Sequence, residues 1–439
     1  MNTVCAVSTP HGKGGISVIR ISGKDAIRIT SAVTESKKSI EEAESHTVIF
    51  AKAVHDGKYI DECLVSVFRE PNSFTGEDVC EISCHGSIIS VSRIMEALIE
   101  NGASPAGKGE FTKRAFMNGK MSLTQAEAVS DIIEAKTNSA LYAAVNRLEG
   151  GISKPIQETR EILLDILAQT AADGDFPEED IEIISKETLY NELKKAEMSL
   201  SDLKDSAKCG IALNNGIICA ICGIPNTGKS SVLNALLDKK KAIVTDVAGT
   251  TRDVVEDWTD IEGIPVKLGD TAGIRESGDK VEKIGIKMSY NYIKNADICV
   301  FVTEAGRNLT DEEIKISKEI KCPCIYVGNK TDLKRETRDD FLGVSAINGN
   351  NIEVLKKKIA EIAGGGISKA MISNERQLEA VIKALKSVKR AIKSMEDGFF
   401  SDIVSIDIEE AVASLGEAEG ISVNQETVNR VFEKFCIGK

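Results

Sequence analysis

The chain of 439 residues is long enough for two to three domains, and its 28% charged and 42% hydrophobic residues are ordinary for a globular protein. No apolar run reaches membrane-spanning length and Met1-Asn2-Thr3 does not begin a signal peptide, so a membrane or secreted role is not expected and a cytoplasmic one is. A net charge of −13 argues against a broad, passive nucleic-acid surface, so any RNA contact has to be a local patch or come through a partner.

Residues 1–118 read as an α/β unit. Strand-like runs fall at 18–21, 47–51, 64–68 and 79–83, and a helix is expected over 87–100, with Ile88, Val91, Met95, Leu98 and Ile99 apolar. Gly12-x-Gly14-Gly15 and His85-Gly86 punctuate the unit. Gly12 to Gly15 is a weak phosphate-loop signal, because Lys13 is followed by neither Ser nor Thr nor a helix. Cys80, Cys84 and His85 have a loosely metal-like spacing, but no second cluster completes them. Eleven cysteines scattered through apolar contexts suit reduced, buried thiols. Lys108, Lys113, Arg114 and Lys120, interleaved with Phe111 and Phe116, make either a local RNA-contacting patch or a solvated loop.

From about 119 the apolar period becomes helical. Ser122-x-x-Gln125 reads as a capping box. Ala126, Val129, Ile133, Ala140, Ala144 and Leu148 form a stripe that Ile152, Ile156, Leu163 and Leu167 continue. After an acidic break at 173–180, Leu189, Leu193, Leu200 and Leu203 mark another helix. The pattern stops at about 213 and returns after the joint Gly364-Gly365-Gly366, with Leu378, Val381, Ile382 and Leu385 and two further helices over 406–415 and 423–435. Helices on both sides of an insertion most simply form one bundle, here 119–212 with 367–439, around an inserted domain at 213–366. The last four residues, Cys436-Ile437-Gly438-Lys439, look like a short exposed tail and fit no prenylation box.

The insertion carries the chemistry. An apolar strand at 217–222 runs into Gly223-x-x-x-x-Gly228-Lys229-Ser230, and Val232, Leu233, Leu236 and Leu237 follow at helical spacing. Glycines let the backbone curl so that its N–H groups converge on phosphate oxygens. Lys229 reaches the β- and γ-phosphates, and Ser230 offers a hydroxyl to Mg²⁺. Cys219-x-x-Cys222 lies inside the feeding strand and reads as core packing. Gly249-Thr250-Thr251-Arg252-Asp253 supplies Thr251 as the second Mg²⁺ hydroxyl. Asp270-Thr271-Ala272-Gly273 fits the acid that holds Mg²⁺ through water and a glycine at the γ-phosphate. Asn329-Lys330-Thr331-Asp332 places a carboxylate that can pair with the N1–H and N2–H₂ donors of guanine, and a backbone N–H at Ser345-Ala346 can meet the base oxygen. The order of these motifs makes a GTPase domain, and the expected nucleotide contacts extend to Asn226, Thr227, Ser231, Thr245, Asp246, Val247 and Ala248. Ile274 stands where Ras-type enzymes keep the Gln that orients the attacking water, so another group has to do that work.

The whole chain resembles the MnmE (TrmE) family of tRNA modification GTPases. The resemblance rests on Gly12-Lys13-Gly14-Gly15 with Arg20-Ile21-Ser22-Gly23, on Ser73-Phe74-Thr75-Gly76-Glu77-Asp78, and on Gly109-Glu110-Phe111-Thr112-x-Arg114-Ala115-Phe116-x-Asn118-Gly119-Lys120. It rests also on Gln125-Ala126-Glu127-Ala128, the GTPase motifs and the tail at Cys436. It implies a multidomain α/β plus α fold: an N-terminal α/β folate-binding and dimerisation domain over 1–118, a discontinuous helical bundle, and an inserted Ras-like P-loop GTPase domain. It implies 5-formyl- or methylene-tetrahydrofolate at Arg20, Glu77, Lys120 and Lys439. It implies K⁺ held by Asn226, Thr245, Val247 and Thr250 in place of an arginine finger, with Glu282 as the catalytic acid that positions water. Thr227 departs from the family's Ala at that place. The implied partners are a second copy, a FAD-containing protein called MnmG in a heterotetramer, and tRNA, whose wobble uridine receives an aminomethyl or carboxymethylaminomethyl group at C5. GTP hydrolysis then drives a conformational change. Cys436 stays open between a nucleophile and a thiol that lines the folate site. The rival readings are an Era-type ribosome-assembly GTPase, which would need a basic RNA-binding module after 366, and a scaffold with a dead nucleotide site.

Overall fold

The computed structural model describes residues 2–175, 185–237, 256–270, 293–333, 337–364, 372–398, 402–421, 423 and 425–439. Two compact units emerge, one of residues 1–130 with 419–439 and one of residues 131–418.

The first unit is built on β1 (Val4–Val7), β2 (Gly14–Ser22), α1 (Ala26–Ala32), β3 (Thr34–Ser36), β4 (Thr47–His55), β5 (Lys58–Phe68), β6 (Val79–Gly86), α2 (Ile88–Glu100) and β7 (Ser104–Pro105). The strands form one sheet in the order β3-β4-β5-β6-β2-β1-β7, antiparallel except where β7 joins β1. Alternation puts Ile49, Ala51, Val65, Val67, Cys80, Ile82 and Cys84 on one face, where α1 and α2 bury them. Ser87 caps α2, its hydroxyl accepting from Ser90 N–H. Helix α3 (Glu110–Met117) and the start of α4 (Leu123–Glu134) follow. The expected capping box is present, since Ser122 N–H donates to Gln125 Oε1 and Gln125 N–H to Ser122 Oγ.

The second unit holds α5 (Asn138–Leu148), α6 (Ser153–Asp175), α7 (Lys186–Asn215), α11 (Glu375–Glu396) and α12 (Asp402–Glu419). Ile152, Ile156 and Leu163, then Leu193, Leu200 and Leu203, share one core with Val381, Leu385 and Val388 and with Ile408 and Leu415. Segments far apart in sequence thus complete one bundle, as the two half-stripes require. Between them lie β8 (Ile217–Cys222), α8 (Lys229–Leu236), β9 (Glu256–Ile261), β10 (Ile264–Asp270), β11 (Ile298–Glu304), α9 (Asp311–Glu319), β12 (Cys324–Asn329), β13 (Leu342–Gly343) and α10 (Ile352–Ala363). Their sheet runs β13-β12-β11-β8-β10-β9, parallel apart from the edge strand β9. Six of the seven residues of β11 are buried, which is why its sequence is a continuous apolar run. Among the described residues no helix is long and apolar enough to cross a membrane.

The closing stretch of sequence, expected in the bundle with the rest of 367–439, belongs instead to the first unit, as do residues 119–130. Val428 and Phe432 on α13 (Gln425–Phe432), with Phe435, pack against Leu123 and Ala126. The tail is therefore pinned: Ile437 bridges to Lys108, Gly109 N–H donates to Cys436 O, and Phe111 N–H donates to Lys439 O at 3.1 Å. Ser8 Oγ donates to Gly438 O.

Candidate functional site

The strand, glycine loop and helix fall where the sequence puts them, with β8 ending at Cys222 and α8 beginning at Lys229. Gly223 has φ +144°, and a Cβ there would lie 2.1 Å from Val302 O, so no side chain fits against β11. Gly228 has φ +87°, and its Cβ would meet Asn329 Nδ2 at 2.3 Å. Asn226, exposed at the loop tip, takes φ +64°, a conformation Asn tolerates better than most residues. Lys229 is buried, and its Nζ donates to Ile224 O at 2.8 Å, so the ammonium lies across the loop it opens from. Thr227 uses the hydroxyl that Ala would lack, donating to the same Ile224 O at 3.0 Å. Ser230 and Ser231 sit exposed in the first turn of α8.

The base-reading segments converge on this loop. Buried Asn329 ends β12, its Nδ2 donating to Thr227 O at 3.0 Å and its Oδ1 accepting from Ala346 N–H at 3.2 Å. Asp332 is exposed, and its Oδ1 accepts from Ser345 Oγ at 2.7 Å. Lys330 takes φ +65° beside them. Asn329, Asp332, Ser345 and Ala346 are thereby one cluster, although the Ala346 N–H expected to meet the base is engaged by Asn329. Asp270 ends β10, opposite Ile221 of β8. Thr245, Asp246, Val247, Ala248, Gly249, Thr250, Thr251, Thr271, Ala272, Gly273 and Glu282 lie outside the described residues.

Behind β11, Thr303 Oγ1 donates to Glu313 Oε1, and Arg307 donates to both Glu313 oxygens. Glu313 is also the third residue of α9, closing a capping box with Thr310. Burial alone would raise its carboxyl, but Arg307, the Thr310 N–H and Thr303 hold it down at about 2.

In the first unit, Arg20, Glu77, Lys120 and Lys439 gather around the 71–77 segment and α3. Arg20 Nε donates to Glu81 at 2.8 Å, and its guanidinium lies 5.6 Å from the Phe74 ring and 5.5 Å from the Phe111 ring. Glu77 Oε2 accepts from Ser22 Oγ and from Arg114 Nη1, both at 2.9 Å. Lys120 Nζ donates to Pro71 O, and its stem passes the Gly76 Cα. An open cavity of about 400 Å³, lined by His46, Phe68, Asn72, Ser73, Phe74 and Lys120, adjoins them. The cluster gathers two aromatic faces, the cations Arg20, Arg114 and Lys120, and the carboxylates Glu81 and Glu77 that pair with the first two. The sequence reading missed Phe74 and Phe111 as the rings beneath Arg20, and Arg114 as the partner of Glu77.

Two stretches that the sequence leaves ambiguous are placed by their elements. Of the four cations of the 108–120 run, Lys108 and Lys120 are exposed, while Arg114 is buried against Glu77 and Glu110, Phe111 is fully buried, and Lys113 donates to Asn429. Helical spacing turns Phe111, Arg114 and Ala115 inward, where a linear reading interleaves them with the exposed Lys108 and Lys120. Cys80 and Cys84 lie buried on the helix-covered side of β6, whereas the exposed His85 ring is engaged by Asp61, Nδ1 to Oδ1 at 2.7 Å. Among the described residues the three do not bring their ligand atoms together as one group. Cys219 and Cys222 are buried in β8, the latter with its Sγ 3.1 Å from Cys299 Sγ, and burial pushes the Cys219 thiol up to about 12.

Comparison with known proteins covers the full chain. Residues 3–120 match the family described as GTP-binding protein TrmE N-terminus, and residues 123–436 match the MnmE helical domain. The tRNA modification GTPase MnmE of Clostridioides difficile is 41% identical over all of this chain and 99% of its own length. Those of Ligilactobacillus salivarius and Carboxydothermus hydrogenoformans are 40% and 41% identical over all of this chain and 98% and 99% of theirs.

Proposed function

The chain belongs to the MnmE family of tRNA modification GTPases and is a GTP hydrolase that serves tRNA modification, and from that premise we propose a K⁺-activated enzyme that acts as a homodimer. Its proposed partner is the FAD-containing MnmG, and its one-carbon source a tetrahydrofolate. The observation that carries the reading is the family match over the whole chain, with Lys229, Asn329, Asp332 and Ser345 brought around one glycine loop. An Era-type ribosome-assembly protein would share the GTPase segment alone.

Lys229 swings from Ile224 O to the β- and γ-phosphates, and the N–H groups of 226–230 line the phosphate cradle. Asp332 accepts the two guanine donors while Ser345 holds its other side. Ser230 with Thr251 would hold Mg²⁺, and Asn226 with Thr245, Val247 and Thr250 would hold K⁺; the exposed amide of Asn226 at the loop tip fits that role. When bound, the two cations neutralise charge that develops on the transferring phosphoryl group. Glu282 orients the attacking water, because Ile274 has no group to do so. In the first unit, Glu77 accepts from the amino-pterin edge, and Arg20, Lys120 and Lys439 meet the carboxylates of the folate. The chain divides functionally into the 1–118 domain with the tail that packs on it, the GTPase domain at 213–366 and the helical remainder.

The test is GTP hydrolysis in KCl against NaCl at equal ionic strength, with Asn226→Ala and Glu282→Ala alongside. Stimulation by K⁺ that Asn226→Ala abolishes, with Glu282→Ala slow in both salts, supports the proposal. Equal rates in the two salts sink the K⁺ assignment and leave a GTPase whose trigger lies in a partner.

A further inference from the structure

The hairpin β9–β10 joins two places that matter. At its open end, β9 begins five residues after Thr251 and β10 finishes on Asp270, so both of its strands run from nucleotide-contacting sequence. Its closed end and its middle are fastened to helical parts of the chain. The turn is shaped by Glu262 and Gly263 at φ +52° and +86°, with Gly263 N–H donating to Asp260 Oδ1. Thr137, which caps α5 through Ala140 N–H, donates its hydroxyl to Gly263 O at 2.7 Å. Three ladder positions in from the closing pair of Ile261 and Ile264, the Trp258 indole lies under the Lys136 ammonium, whose Nζ is 3.4 Å from the ring centroid. The same ring also lies against Gly216, where α7 hands over to β8. A Cβ at Gly216 would lie 2.4 Å from Trp258 Cζ3, so the helix end and the indole are in direct backbone-to-ring contact.

We infer that this hairpin passes the state of the nucleotide site to the helical segments, with Trp258, held between Lys136 and Gly216, as the positioning residue at the contact. Among the described residues β9 is an edge strand of its sheet and is bonded on one side alone. Displacing it therefore breaks its ladder to β10 alone and leaves the parallel strands paired. Any displacement of β9 relative to α7 changes the ring's distance to a cation and to a backbone it already touches. Lys136 and Thr137 sit in the connection between α4 and α5, so both fastenings act on the same short segment. A contact can bias two states only by the difference it makes between them, and one cation–π pair bounds that difference at about fivefold. The inference rests on GTP binding at 223–230.

Trp258 is the only tryptophan of the chain, so its emission reports this contact without a label. The experiment compares the full chain with GDP and with a non-hydrolysable GTP analogue, by tryptophan emission and by amide hydrogen exchange over 135–140 and 207–216. The expected result is a change of emission between the two nucleotides and a change of about fivefold in exchange protection at both segments. Lys136→Met should remove the exchange response while GDP affinity and GTP hydrolysis stay within about twofold. Trp258→Phe, which keeps an aromatic face, should retain the exchange response, and Trp258→Leu should lose it. Identical emission in both nucleotides overturns the inference, as does an exchange response that survives Lys136→Met. The wild-type arm needs no variant to fold. A chain that binds neither nucleotide overturns this inference and the GTPase reading together, whereas a chain that binds both with flat emission overturns the inference alone.

Discussion

Two glycine-rich loops with a lysine occur in this chain, at 12–15 and at 223–229, and the surroundings separate them. Gly12 and Gly223 share a φ of +144°. Around Gly12 nothing lies within 4 Å of a Cβ, Lys13 is exposed, and the chain goes on into β2. Around Gly223 a Cβ would strike Val302 O, Lys229 is buried, and a helix starts at once. A phosphate cradle needs converging N–H groups and a positive helix end, and glycine content supplies neither. What makes the second loop a site is the parallel strand behind it and the helix in front.

The sharpest way to break this comparison is to add one methyl group to each loop. Gly223→Ala puts an L side chain at a forbidden φ and onto a backbone oxygen, and should lower GTP affinity by about 100-fold or more. Gly12→Ala meets the backbone penalty without the collision, should cost about 1 kcal/mol of stability, and should leave GTP affinity unchanged. Isothermal titration with GTP and a urea melt read both. Comparable losses of GTP affinity would refute the contrast. Next in size is Asp332→Ala, which removes the carboxylate that Ser345 orients. It should weaken GTP by about 30-fold and leave ATP as weak as before, measured by competition, because the lost pairs are specific to guanine.

The second loop was legible in the sequence because its parts are contiguous or follow buried strands. Ile217 to Cys222 reads as a strand and is one, and Asn329 and Ser345 follow apolar runs that became β12 and β13. The proposed N-terminal site was legible only through resemblance, since Arg20, Glu77, Lys120 and Lys439 come from four separated places. Its tertiary support was not legible at all. Nothing local says that Arg114 turns inward to Glu77, or that Gly438 lies on Val7 O. Helical spacing gives Arg114 its inward face but not its partner in the 71–77 segment, and the contact of the tail with β1 is long-range packing; periodicity encodes neither.

Gly438→Ala tests whether the tail completes the N-terminal site. Gly438 has φ +94°, and a Cβ would lie 2.3 Å from Val7 O, so the substitution should lift the tail and move Lys439. Binding of 5-formyl-tetrahydrofolate should fall about tenfold with GTP binding intact, read by fluorescence titration of each ligand. Undiminished folate binding would remove Lys439 from the site.

The smallest effect at neutral pH concerns the support behind the second loop. Glu313 anchors Thr303, the residue after Val302, whose carbonyl shapes Gly223. Its carboxyl is held at about 2 in the folded chain against an ordinary 4.5. The folded state therefore keeps Glu313 ionised where the unfolded state takes up a proton, so its contribution is complete above about pH 5 and is lost as pH falls toward 2. Urea midpoints of the wild type should be flat from this source between pH 7 and 5 and then fall. Glu313→Gln, which leaves Arg307 without its carboxylate, should lower the midpoint at pH 7 and narrow its distance from the wild type as the pH drops below 4.5. A gap that stays constant down to pH 3 would mean that the pairing with Arg307 adds nothing, and that the Thr303 and Thr310 bonds alone hold the end of β11 against the loop.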